Sequence, residues 1–165
     1  MIAKFIFLDI DGPLNAGRSD YMDPGKYGHH FDEIAVRNLG IIIDKTNAKI
    51  VISSSWRHLG LTKLREIWRN WNLPGEIFGC TPGHWGDETV FATRGDEIKQ
   101  WLVKNASEPY TYVVIDDMGD DEALEEQKSL WITVNPHCGI DEIDANTAIS
   151  ILNANNKEGC KVPEN

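Results

Sequence analysis

The stretch Phe5-Ile6-Phe7-Leu8-Asp9-Ile10-Asp11-Gly12 constrains this chain more than any other: an apolar run ends abruptly in two aspartates one residue apart, then a glycine. Short apolar runs bounded by turn signals suit the central strands of a parallel sheet, which are buried on both faces. Ligands of open parallel sheets bind beyond the carboxyl ends of the strands, and Asp9 and Asp11 fall at such an end. Residues two apart in a strand share a face, so these carboxylates either repel or are held together by a cation. Mg²⁺, a hard cation that takes oxygen ligands, is the natural partner. The simpler alternative is a solvated strand-to-turn junction, since aspartate and glycine are ordinary turn formers.

Composition narrows the class. A chain of 165 residues is long enough to bury a real core, and its simplest division is one domain over 1–154 followed by a tail at 155–165. With 41% hydrophobic and 25% charged residues it resembles an ordinary globular protein rather than a disordered one. Met1-Ile2-Ala3-Lys4 runs straight into the first strand and leaves no room for a signal peptide, and no apolar stretch approaches membrane-spanning length, so a cytoplasmic protein is expected. Cys80, Cys138 and Cys160 are widely spaced and form no CxxC pair, which argues for reduced thiols over a disulfide framework or a zinc site. The formal net charge is -10. Such a surface disfavours extended, sequence-independent nucleic-acid binding, whose affinity comes mostly from neutralising phosphates. Small molecules and chain ends remain open as ligands, and nothing in the sequence points to an oligomeric state.

Apolar runs alternate with amphipathic segments along the chain. Strands are predicted at about Lys4 to Leu8, Lys49 to Ile52, Thr111 to Ile115 and Leu130 to Val134, with a short one at Glu76 to Cys80. Helices are predicted at about Asp32 to Thr46, Leu61 to Trp71, Arg94 to Lys104 and Asp141 to Asn153. The second stops at Leu73-Pro74-Gly75, a breaker pair, and the third places Ile98, Trp101 and Leu102 at helical spacings. Strands alternating with helices predict an α/β fold: a doubly wound parallel sheet in a three-layer α/β/α arrangement, with no insertion large enough for a cap domain.

Three of these strands end in the groups that one phosphate-transfer site needs. Asp9 and Asp11 follow the first, Ser53-Ser54-Ser55 the second, and Asp116-Asp117 the third clear strand, while Arg94 opens the helix before that third strand. With these motifs in this order over its whole length, the chain resembles the haloacid dehalogenase (HAD) superfamily of phosphatases. Phe7-Leu8-Asp9-Ile10-Asp11-Gly12-Pro13-Leu14-Asn15, Ser54-Ser55-Trp56-Arg57 and Arg94-Gly95-Asp96-Glu97-Ile98-Lys99-Gln100-Trp101-Leu102 resemble more closely the capless branch that includes HAD domains of RNA-repair proteins. Pro13 stands where that branch usually has Val.

The resemblance implies a role for each residue. Asp9 is the nucleophile, attacking phosphorus to give an aspartyl-phosphate. Asp11 is the general acid and base; its presence argues against a dehalogenase, because members that attack carbon lack an aspartate there. Mg²⁺ is held by the Asp9 carboxylate, the backbone carbonyl of Asp11 and an acidic residue of the third strand end, with Asp117 the direct ligand and Asp116 a supporting or bridging group. Ser54 supplies a hydroxyl to the phosphoryl oxygens, and Ser53, which directly follows the apolar run, is the alternative; either serine could instead merely cap a turn. Arg94 supplies the fixed positive charge and a fork suited to phosphate. Lys99 competes for that role, or is a solvated surface charge.

The expected ligand is a phosphorylated small molecule or a nucleic-acid 3′- or 5′-phosphate end, with a nucleotide or such an end ahead of a sugar phosphate or other metabolite. Tyr21, Tyr27, His29, His30, His84 and Trp85 fall in loops that could border the pocket, where aromatic rings stack on a base or simply anchor the loop. A reading from another class is a phosphoacceptor signalling domain resembling a response-regulator receiver, which also uses Asp, Mg²⁺, Ser or Thr, and Lys. Receivers carry the acceptor on a middle strand of the sequence, whereas here the aspartates follow the first.

Overall fold

A computed structural model of the chain describes residues 2–16, 31–83, 91–107 and 109–154. The expected tail and the loop residues Tyr21, Tyr27, His29, His30, His84 and Trp85 lie outside the described residues. The described residues form strands β1 (Ala3–Leu8), β2 (Lys49–Ile52), β3 (Ile77–Cys80), β4 (Tyr110–Asp116) and β5 (Trp131–Thr133), and helices α1 (Glu33–Thr46), α2 (Leu61–Asn70), α3 (Arg94–Asn105) and α4 (Glu142–Ala154). Short 3₁₀ segments at Ser55–Leu59, Asp120–Glu122 and Glu125–Leu130 were not legible in the sequence, because one or two tight turns have no hydrophobic period to read.

Local chemistry explains the helix ends. The Asp32 carboxylate accepts from the amides of Ile34 and Ala35 and starts α1, a cap worth about 1 kcal/mol. α3 begins with a reciprocal capping box in which Thr93 and Asp96 satisfy each other's backbone amides. That box fixes where Arg94, the first residue of the helix, is presented.

All five strands are parallel, in the order β3-β2-β1-β4-β5. The chain steps outward from β1 through β2 to β3, then crosses back to β4 on the other side of β1. Right-handed crossovers therefore send α1 and α2 to one face and α3 to the other. The two cores follow the strand alternation. Ile6, Leu8, Ile50, Ile52, Val113 and Ile115 pack with α1, α2 and α4. Phe5, Phe7, Val51, Tyr112 and Val114 pack with Ile98, Trp101 and Leu102 of α3. Trp101 anchors α3 by edge-on contacts with Phe5 and Phe7, ring centroids 5.2 and 5.4 Å apart, so the helix that opens with Arg94 is held rigidly on the sheet. The observed fold is the doubly wound α/β sheet that the sequence predicts, and the reversal of strand order places the carboxyl ends of β1 and β4 side by side.

Candidate active site

Register brings the strand ends together. Leu8 is the register partner of both Ile52 and Ile115, so Asp9, Ser53 and Asp116 emerge at one level. The ladder continues one residue further: Asp9 N donates to Ile115 O at 3.0 Å, and Ser53 N donates to Leu8 O at 2.9 Å. By alternation, all three residues continue the face covered by α3, from which Arg94 enters.

The side chains converge accordingly. Asp9, Asp116 and Asp117 each offer one carboxylate oxygen, and these atoms lie within 4.8 Å of one another. Asp9 Oδ1 accepts from the Ile10 amide at 2.8 Å, and the Ser54 hydroxyl stands beside the same carboxylate and favours its charged form. Asp116 is fully buried; its Oδ1 accepts from the Met118 amide at 2.9 Å. Its Oδ2 has no hydrogen-bond partner among the described residues and stands 3.6 Å from Arg94 Nε. At that distance the contact is ionic, too long for a hydrogen bond. Arg94 also donates through Nη1 to the Ser53 carbonyl.

Burial dominates the electrostatics. It pushes Asp9 from 3.8 up to about 6, against the lowering effects of the Ser54 hydrogen bond, Arg94 and the Ile10 amide. It pushes Asp116 from 3.8 up to about 7, where Arg94 opposes the rise and the charge of Asp9 adds to it. The folded chain thus concentrates negative charge in a place where it is poorly solvated. When all three are ionised, three carboxylates against one guanidinium leave an excess of two negative charges. An all-oxygen donor set with one unpartnered buried oxygen and this charge fits a hard divalent cation.

The expected residues fare differently. Asp9, Ser54, Arg94, Asp116 and Asp117 are brought together; Asp116 contributes to the cluster as directly as Asp117. Ser53 contributes its carbonyl to Arg94, while its buried hydroxyl has no hydrogen-bond partner among the described residues. The Asp11 carboxylate lies outside the cluster, accepting from Trp56 Nε1 at 2.8 Å and Asn15 Nδ2 at 3.2 Å. Lys99 stands apart: it is exposed, with Nζ 3.3 Å from Glu126 Oε1. Five residues after Arg94, it points about 140° around the helix.

Several supporting residues carried no role in the sequence reading. Arg57 and Glu97 form a bidentate pair with both contacts at 2.7 Å, and Arg57 donates further to Thr81 Oγ1 and the Gly83 carbonyl. This ties the turn after β2 and the end of β3 to α3. Glu122 accepts from the Arg94 amide at 3.0 Å, and buried Gln127 donates to the Gly95 carbonyl at 3.0 Å, so the start of α3 is stitched to the segment after β4. The Asp11 turn needs no amide from Pro13: it is closed by the amides of Leu14 and Asn15, both donating to Ile10 O, while Pro13 O accepts from Ile140 N.

Residues 5–145 match the family model described as the HAD domain in Swiss Army Knife RNA repair proteins. The chain belongs to that HAD family. Its catalytic type is accordingly that of a phosphatase-like hydrolase, and HAD proteins generally use Mg²⁺, for which the carboxylate cluster is suited. No curated protein and no solved structure matches the chain. No helix among the described residues is long and apolar enough to cross a membrane.

Proposed function

We propose that this HAD domain is a Mg²⁺-dependent phosphomonoesterase that works through an aspartyl-phosphate on Asp9. The observation that carries the reading is the convergence, at one register level, of a carboxylate beside a hydroxyl and a guanidinium, with two further carboxylates within cation-sharing distance. Asp9, Asp116 and Asp117, with the Asp11 carbonyl, would hold Mg²⁺, which when bound neutralises the phosphate and the carboxylates so that anion can approach anion. Asp9 attacks phosphorus and the bond to the leaving oxygen breaks. Asp11 gives that oxygen a proton, then takes one from the water that hydrolyses the acyl phosphate and restores Asp9. Ser54 donates a hydrogen bond to the phosphoryl group, and Arg94 supplies fixed positive charge.

The substrate we favour is a phosphate on a nucleotide or on the 3′- or 5′-end of a nucleic acid. The family's association with RNA repair and the lack of a cap domain among the described residues support an end on a large molecule. The net charge of -10 argues against affinity drawn from a long polyanion. The test is a series of 3′- and 5′-phosphorylated oligonucleotides of increasing length, at two salt concentrations, beside mononucleotides and sugar phosphates. Efficiency should level off within a few nucleotides and depend weakly on salt. A steady climb with length that collapses in salt, or turnover confined to sugar phosphates, would overturn the substrate assignment. A phosphorylated protein that persists instead of turning over would favour the signalling alternative.

A further inference from the structure

We propose that Trp56 is a positioning residue for Asp11, its indole N–H holding Oδ2 as a permanent acceptor so that Oδ1 is the oxygen that carries and transfers the proton. The inference rests on the acid and base role given to Asp11 above and adds the group that sets its geometry.

The donors decide which oxygen is which. An indole N–H only donates, so Oδ2, 2.8 Å from Trp56 Nε1, must offer a lone pair whether Asp11 is ionised or not. In a protonated carboxyl group the carbonyl oxygen is the better acceptor, which places the hydroxyl on Oδ1. Asn15, 3.2 Å from Oδ1, differs in kind: its amide carries donors and an acceptor, so it donates to the carboxylate and accepts from the acid. Its contact lies at the long end of the N–H···O range, and a leaving oxygen or a water displaces it at little cost. Asp11 itself remains exposed, within reach of a substrate.

Trp56 is anchored where Asp11 is not. It is buried, its ring centroid lies 6.0 Å from that of Phe31, and its amide donates to Ser54 Oγ at 3.3 Å. That same Ser54 hydroxyl acts on the Asp9 carboxylate, favouring its charged form. One 3₁₀ turn therefore sets both the hydroxyl beside the nucleophile and the indole beside the acid. Misplacing a reacting group by about 1 Å can cost ~10²-fold in rate, so a fixed donor on Asp11 has kinetic consequences.

The proton balance is simple. As the Asp9 oxygen bonds to phosphorus and the ester P–O bond breaks, the proton on Oδ1 passes to the leaving oxygen. Oδ1 then takes a proton from the attacking water as the acyl-phosphate P–O bond breaks, returning Asp9 to a carboxylate and releasing inorganic phosphate.

The experiment compares kcat/KM for phenyl phosphate and 4-nitrophenyl phosphate, which share a shape but differ in the protonation their leaving groups need. The ratio of the two is unaffected by the fraction of folded enzyme. Trp56→Phe keeps the aromatic bulk and loses the donor; Trp56→His loses bulk and keeps a ring nitrogen that reaches the indole nitrogen's place. Trp56→Phe should lower the phenyl-to-nitrophenyl ratio by about tenfold, a fraction of the ~10²-fold to 10⁴-fold supplied by general acid catalysis. Trp56→His, assayed above the histidine range, should keep the ratio within about threefold of wild type. Asp11→Asn is run alongside. If it lowers the ratio while Trp56→Phe leaves it unchanged, or if His falls as far as Phe, the positioning role is wrong and the phosphatase reading stands. If Asp11→Asn leaves the ratio unchanged, the acid role falls and this inference falls with it.

Discussion

Gly12 lies directly against Asp117: a Cβ at position 12 would stand 2.7 Å from both Cβ and Cγ of the aspartate and 3.0 Å from its Oδ2. The glycine that closes the first motif is therefore the space in which a carboxylate of the third strand end sits. Its φ of +94° adds a second reason, since side chains are strained in that region. Two motifs more than a hundred residues apart thus lock into one another.

Gly12→Ala should push Asp117 out of the cluster. The expected result is a fold that survives with Mg²⁺ affinity lowered by at least about tenfold, or ~1.4 kcal/mol, read from the Mg²⁺ dependence of turnover and from thermal shift. Asp117→Ala should weaken Mg²⁺ more than Asp116→Ala, because the Asp116 carboxylate is already shared with Arg94; the reverse order would exchange their roles. Unchanged affinity in Gly12→Ala would mean that Asp117 is not a ligand.

Asp9→Asn should abolish release of phosphate from 4-nitrophenyl phosphate while leaving the circular dichroism spectrum intact. Near-normal turnover by the folded variant would remove Asp9 as nucleophile. Because Asn keeps an oxygen for the Ile10 amide and carries no charge into a buried place, the inactive variant should melt no lower than wild type in chelator at neutral pH.

Stability of the metal-free protein should fall as pH rises. The folded state holds protons on Asp9 up to about 6 and on Asp116 up to about 7, against an ordinary 3.8. Over that window the unfolded chain binds fewer protons, so unfolding becomes easier with rising pH; the stability is full below the ordinary carboxylate range and lost through the folded values. Melting curves in chelator should show this decline, and Mg²⁺ at neutral pH should reverse it by binding the charged cluster. A melting temperature that rises with pH in chelator would contradict the buried-charge account.

The Arg57–Glu97 pair is nearly buried, with side chains 10% and 12% exposed. Burial raises Glu97 despite the opposing guanidinium, so the pair is held at the expense of desolvation. Arg57→Met, which strands the carboxylate, should destabilise by about 3–5 kcal/mol, whereas Arg57→Met with Glu97→Leu should recover much of the loss. Denaturant melts of the three proteins decide it. A single variant no worse than the double would show that the pair carries no structural load.

The sequence alone determined the strand ends and hence the fold class. Phe5-Ile6-Phe7-Leu8, Lys49-Ile50-Val51-Ile52 and Thr111-Tyr112-Val113-Val114-Ile115 are short, mainly apolar runs that suit buried parallel strands, so the polar residues that terminate them were legible as candidates at the strand ends. Helix boundaries came within a residue or two, because caps such as Asp32 and Thr93 act on neighbours a few positions away. What tertiary structure decided lies between elements. Register put Asp9 level with Ser53 and Asp116, and no local pattern encodes register between strands that are 41 and 102 residues apart. The partner of Asp11 is Trp56, 45 residues away, chosen by how the turn after β2 folds over the turn after β1. Which of Arg94 and Lys99 stands beside the carboxylates likewise depended on which side of α3 meets the sheet, and that side was set by Trp101 packing on Phe5 and Phe7.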